Sequence, residues 1–216
     1  MRRLAAVLLL SFPLASAHAE KARKPIPPQP AETYSMHQTN DHVTIAAEPG
    51  DIRDTRPNTR LDYFGHDMLP IRVIVTNDSE RPVTLDDARI HFISAANDNI
   101  PAATPDDLQR RLFTIKSATG KKTPLPLPIP IPITTGKQNV DKKITDDDND
   151  FGFQTTTIQP HTTVAGYLYY DISDLDKPAL THATLELRKV RYAGGDYLES
   201  FEIPLHPTDQ STATTK

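Results

Sequence analysis

The sequence predicts an all-β protein: an antiparallel β-sandwich carrying one short helix, a long Pro-rich insertion and a cleaved signal peptide. Three observations carry that reading. In Leu69 to Ile93, LPIRVIVTNDSERPVTLDDARIHFI, apolar Ile71, Val73 and Val75 alternate with Arg72, Ile74 and Thr76, the period-2 pattern of a half-buried strand. Seven to nine such short segments recur along the chain with turn residues between them, the spacing of a sandwich rather than of βαβ units. The 216-residue chain contains no cysteine, so a core of this kind must be held by packing alone.

The elements follow in order. Arg2-Arg3, the apolar run Leu4 to Leu14, and the small residues Ala15-Ser16-Ala17 or Ala17-His18-Ala19 form a Sec-type signal, expected to be removed after residue 19. The apolar run is shorter than the roughly 20 residues that span a bilayer, so no integral membrane segment is expected after cleavage. Residues 20–40 open with the Pro-rich, charged EKARKPIPPQPAE and read as a disordered, extended spacer. The sandwich domain is expected over 41–205. Val43 to Ala47 is its first strand, stopped by Pro49-Gly50. Leu69 to Ile93 supplies three more strands, turned first by Asn77-Asp78-Ser79-Glu80, whose side chains hydrogen-bond nearby backbone. Thr104 as N-cap, Pro105 at the first helical position and Asp106-Asp107 in the first turn open a short helix. Its apolar side, Leu108, Leu112 and Phe113, is expected to bridge the two sheets. After an insertion at 121–153 come strands at Gln154–Ile158, Val164–Ile172, Ala183–Val190 and Tyr197–Leu205, the last two joined by the turn Ala193-Gly194-Gly195-Asp196. The tail, 206–216, reads as disordered.

The succession VTIAAEPGD, LPIRVIVTNDSERPVTL, ATPDDLQRRL, VAGYLYYDI and ATLELRKVRYAGGDYLESFEIPL resembles a group of exported bacterial proteins of unknown function with an immunoglobulin-like sandwich. Those proteins share an N-D-S then Pro-Val turn and a G-x-L-x-F-D strand. Here Tyr169-Tyr170-Asp171 stand where phenylalanines are usual, a conservative departure. The similarity covers about 43–205 and implies an immunoglobulin-like fold and export. It implies no catalytic residue, ligand or partner.

Two parts of the insertion invite a function. In PLPLPIPIPI, Pro124 to Ile133, each Leu or Ile before a proline is driven into extended backbone. As a strand, the prolines would present a side without donors, while Leu125, Leu127, Ile129 and Ile131 donate toward the other. Such an arm caps its own sheet, stays a loop, or docks on a partner through those four apolar side chains. They are the candidate partner-contact residues. Beyond them, Asp146, Asp148 and Asp150 occupy positions 1, 3 and 5 of a calcium loop. Phe151 then replaces the required glycine and Thr157 the bidentate glutamate, so a solvated acidic loop is the simpler reading.

His66-Asp67-Met68 is an H-x-M triplet, with Met36-His37 upstream, and thioether with imidazole suits Cu(I). The nucleophile elbow, zinc-protease helix, phosphate-binding loop and dinucleotide loop are all missing from the sequence. Acidic pairs are abundant but fall in turns without aromatic neighbours, a poor setting for a two-carboxylate glycosidase. After signal removal 22 basic residues of the 24 stand against 28 acidic ones, which disfavours nucleic acid as a partner. The resulting expectation is a non-enzymatic interaction or scaffold module of the bacterial envelope, periplasmic or secreted, without cofactor. Its partner would be an envelope or extracellular protein. The alternative is a periplasmic copper- or calcium-handling protein.

Overall fold

The computed structural model describes residues 24–119 and 134–205, with backbone only for 113–119 and 134–139. The strands are β1 (His37–Asn40), β2 (Val43–Pro49), β3 (Met68–Asn77), β4 (Val83–Thr84), β5 (Arg89–Ile93), β6 (Asn99–Pro101), β7 (Thr157–Ile158), β8 (Thr162–Asp171), β9 (Thr184–Arg188), β10 (Arg191–Tyr192) and β11 (Phe201–Pro204). Two helices, α1 (Pro105–Thr119) and α2 (Thr134–Phe151), separate β6 from β7. None of the described helices is long and apolar enough to cross a membrane.

The first sheet has the order β1-β2-β3-β8, antiparallel throughout. Its opening hairpin turns through Asp41 and His42, whose φ values of 46° and 63° are the two positive angles a type I′ turn needs. Facing it are two short ladders, β11-β9-β5-β6 and β10-β4-β7. Thr84 pairs with Arg191 and Arg89 with Arg188, and between them four residues, 85–88, stand against two, 189–190, where the pairing is interrupted and the two ladders part.

Period-2 alternation places Leu69, Ile71, Val73 and Val75 of β3 between the layers, against Phe92, Leu185, Leu187 and Phe201 from the facing sheet. The turn after β3 forms as its residue types dictate. Buried Asn77 accepts from Ser79 N at 3.1 Å and Ser79 Oγ at 2.6 Å, while its amide nitrogen donates to Arg81 O at 2.8 Å and Ile158 O at 3.2 Å. Thr104 caps α1 reciprocally with Asp107: Thr104 N and Oγ1 donate to Asp107 Oδ2, and Asp107 N donates to Thr104 Oγ1.

Four expectations change. β3 is not half-buried, because all ten of its residues are inaccessible. Its second face, with Met68, Arg72, Ile74 and Thr76, is covered as well. Residues 24–40 of the expected spacer are part of that cover. Ala31 is fully buried against Ala46 and Ile74, Ala31 N donates to Thr76 Oγ1 at 2.8 Å, Arg72 donates to Ile26 O although the Ile26 side chain is exposed, and 37–40 form β1. Helix α1 does not bridge the sheets. Leu108 and Leu112 pack on the outer side of the first sheet with Met68, Tyr167 and Tyr169. Last, the acidic half of the insertion is a second helix, α2, rather than a loop. Its Val140, Ile144, Asp147 and Phe151 fall on one buried stripe at helical spacing.

A strand-edge device seats α2. The segment after it crosses β8, with Phe153 N donating to Tyr167 O at 3.2 Å and Gly152 bridging Tyr167. The crossing needs Gly166, because a Cβ there would lie 2.3 Å from Phe153 Cα and 2.6 Å from Gly152 O.

Candidate functional site

Asp147 is the least expected feature of the buried stripe, a carboxylate 1% exposed. The loop between β2 and β3 supplies its partners. Arg60 N donates to Oδ1 at 2.9 Å and to Oδ2 at 3.1 Å, Arg60 Nη1 to Oδ1 at 3.0 Å, and Tyr63 OH to Oδ2 at 3.2 Å. The same guanidinium lies 2.8 Å from Asp150 and 3.9 Å from Asp146. Four acidic residues gather near the C-terminal end of α2, the negative end of its dipole, with no basic residue in the last turn. Arg60 provides the missing positive charge.

Electrostatics and stacking tighten the cluster. Arg60, held first by its hydrogen bonds to Asp150 and then to Asp147, loses its proton less readily than a free arginine. Burial, and next the negative charge of Asp147, pushes the Tyr63 phenol far above its usual range. Its ring meets that of Tyr169 at 4.4 Å between centroids. Tyr169 is raised by burial too, and its hydroxyl has no hydrogen-bond partner among the described residues. Tyr167 is pushed up to about 12 by burial and donates to Thr55 O at 3.1 Å. Chemically the carboxylate is satisfied at both oxygens by three donors, the Arg60 N–H shared between them, Arg60 Nη1 on Oδ1 and Tyr63 OH on Oδ2. It is a fastener, unsuited to act as a base or ligand.

Open space concentrates where β3 begins and β8 ends. One cleft of about 460 Å³ is lined by Met68, Ile100, Ala103, Asp107, Arg111 and Asp171. A second, about 400 Å³, lies among Ser94, Asp98, Asp174, Lys177 and Thr181. A third, about 300 Å³, shares Lys177, Pro178 and Ala179 with the second and has an apolar floor of Phe64, Leu69 and Ile172.

The residues singled out from sequence scatter. Leu125, Leu127, Ile129 and Ile131 lie outside the described residues. Met68 is 1% exposed and packs beside Leu108 and Tyr63, so its thioether is a core group rather than an accessible ligand. Met36 packs against the main core, and His37 Nδ1 lies 2.6 Å from Tyr34 O. The calcium-loop geometry fails because Asp146, Asp148 and Asp150 ride on a helix. Asp148 accepts from Gln154 at 2.9 Å, and the other two face Arg60. Among the described residues no three His, Asp or Glu side chains are arranged to hold a metal ion. Sequence reasoning missed Arg60, Tyr63 and Asp147. The 140, 144, 147, 151 spacing was the available signal, masked by an aspartate in an apolar series.

Compared with known proteins, the chain matches no protein-family model, no curated protein and no solved structure.

Proposed function

We propose that this chain is an exported, immunoglobulin-like interaction or scaffold module of the bacterial cell envelope, with no enzymatic role. Its contact element is the Pro124–Ile133 arm. The observation that carries this reading is the fastening of the two helices that bracket the arm. α1 ends at Thr119, α2 begins at Thr134, and a buried carboxylate satisfied at both oxygens pins α2 to the loop before β3. Burying such a pair contributes little net stability, but it fixes one orientation. A segment of alternating proline and branched apolar residues, rooted on so fixed a base, suits docking on an extended edge or apolar groove. The signal-like first 19 residues and the resemblance of 43–205 support the envelope as its place. A metal-handling role would need ligands other than Met68, which is buried, and other than Asp146, Asp148 and Asp150, which ride on a helix and face Arg60 or Gln154.

The test is a quadruple Leu125→Ser, Leu127→Ser, Ile129→Ser, Ile131→Ser chain carrying a photo-cross-linker in the arm, expressed in its native compartment. The expected result is unfolding free energy within about 0.5 kcal/mol of wild type with loss of the cross-linked product. A persisting product overturns the reading. So does a stability loss of several kcal/mol, which would make the arm a cover for its own sheet.

A further inference from the structure

In the ladder β11-β9-β5-β6, Phe92, Leu185, Leu187 and Phe201 point into the main core. Alternation therefore puts Ile93, Thr184, Glu186, Arg188 and Glu202 on the opposite, outward side. A cleft of about 340 Å³ opens among these five and reaches Asn97 in the β5–β6 turn and Asn99 of β6.

Glu186 is the unusual member, a carboxylate 6% exposed on the outward side of a sheet. Asp147, the other deeply buried acid, has donors at both oxygens. Glu186 has one partner among the described residues, the Arg188 guanidinium 2.6 Å from Oε1, and its Oε2 accepts no hydrogen bond from them. Buried polar atoms are normally bonded, so the donors for Oε2 must come from what occupies the cleft. The side chains of Asn97, Asn99, Thr184 and Glu202 likewise make no hydrogen bond among the described residues.

The charges around the cleft cancel. Arg188 and its cross-strand neighbour Arg89 stand against Glu186 and its cross-strand neighbour Glu202. His91 lies opposite Glu186 on β5, outside the lining, and Asp98 faces the neighbouring cleft, where it accepts from Ser94 Oγ at 2.7 Å. A ligand gains nothing here from net charge. What the cleft offers is mixed hydrogen bonding: carboxylates that only accept, a guanidinium that only donates, and a hydroxyl and two carboxamides that do both. An acceptor and a donor 2.6 Å apart, Glu186 Oε1 and Arg188 Nη2, suit two hydroxyls on neighbouring carbons, one giving and the other taking. A neutral ring bearing a series of such hydroxyls is a sugar, and Ile93 gives its C–H face an apolar rest.

We infer that this cleft binds a neutral saccharide, with neighbouring hydroxyls of one ring on Glu186 and Arg188 and others reaching Asn97, Asn99 and Thr184. This goes beyond the proposed envelope role and does not depend on the arm. The experiment is an amide-shift titration of the full chain with methyl glucoside, methyl galactoside and methyl mannoside. Cyclohexanol, a ring of like size with one hydroxyl, is the control. At least one glycoside is expected to saturate with a Kd on the order of 1 mM, since no aromatic ring lines the cleft. The moving resonances should be confined to 93–99, 184–188 and 202, and cyclohexanol should move none of them to saturation. Glu186→Gln should weaken the glycoside about tenfold and Asn99→Ala about threefold. Silence from all three glycosides, shifts centred elsewhere, an equal response to cyclohexanol, or indifference to Asn99→Ala would each overturn the inference, whether or not Glu186→Gln folds.

Discussion

On one side of β3 and β8, the buried layer is built mainly of aliphatic and aromatic side chains, with Asn77 at its end; on the other it includes a carboxylate, a guanidinium and three phenols. The two layers rest on the same strands, so strand geometry does not separate them. What separates them is what the chain lays on top. Between the sheets a second sheet supplies Phe92, Leu185, Leu187 and Phe201, and any residue of similar size can take part. Outside, two helices and a loop must be held at one angle, and directional hydrogen bonds to Asp147 do that. The inner layer contributes mainly stability, the outer one mainly orientation.

Alkali should collapse the distinction altogether. Tyr63, Tyr167 and Tyr169 outside, and Tyr170 inside, are all raised, chiefly by burial, above the usual tyrosine value of about 10. A folded pKa above the unfolded one means that the native state keeps protons the unfolded chain releases. This contribution is whole below about pH 10 and is lost as pH rises through the folded values, between about 10 and 12 for Tyr167 and beyond for the others. Phenolate absorbance and circular dichroism, followed together, should show these four titrating only as the chain unfolds. Independent titration ahead of unfolding would mean that the outer layer is open to solvent.

Arg60→Ala should have the largest effect of any single change in the outer layer. It leaves Asp147 buried without its cation, a loss of about 3–5 kcal/mol in urea unfolding. The sharper form is the pair Arg60→Met with Asp147→Leu, which should recover wild-type stability or exceed it by about 1–4 kcal/mol. Amide exchange across α2 should nonetheless quicken, because orientation was what the charges supplied. Protection equal to wild type would erase the contrast between the layers. Gly166→Ala should cost about 1–3 kcal/mol by pushing 152–153 off β8, seen as exposure of the Phe153 amide.

The smallest effect separates the layers by sign. Tyr63→Phe removes a hydrogen bond to a buried carboxylate and should destabilise by about 1.5–3 kcal/mol. Tyr170→Phe removes a buried hydroxyl that has no partner among the described residues, and should be neutral or stabilising by up to about 1 kcal/mol. Like signs for the two would mean that polarity is used alike in both layers.

The inner layer was legible in the sequence because alternation reports a face directly: Ile71, Val73 and Val75 lie where their period puts them. So were the Asn77–Glu80 turn and the Thr104 cap, since both are local hydrogen-bonding events. The outer layer was not. Its side chains come from tyrosines on β8, an arginine in a loop and an aspartate within an acidic run, and no local pattern joins Arg60 to Asp147 across 87 positions. Four aspartates, poor helix formers, hid α2 because tertiary packing overrode their propensity. The 24–40 segment was read from its prolines, which exclude a helix but permit an extended strap across a sheet.

Asn77-Asp78-Ser79 also spells an acceptor for N-linked sugar. In the folded chain the acceptor nitrogen is fully buried and donates to Arg81 O and Ile158 O. A glycan on that nitrogen removes a donor from the turn joining the first sheet to the facing one and has no room beside Ile158. Produced through a eukaryotic secretory pathway, the chain would therefore split into two populations: molecules that fold first and stay unmodified, and molecules modified first that never close the sandwich. For this protein the choice of expression host is a choice about the fate of one amide.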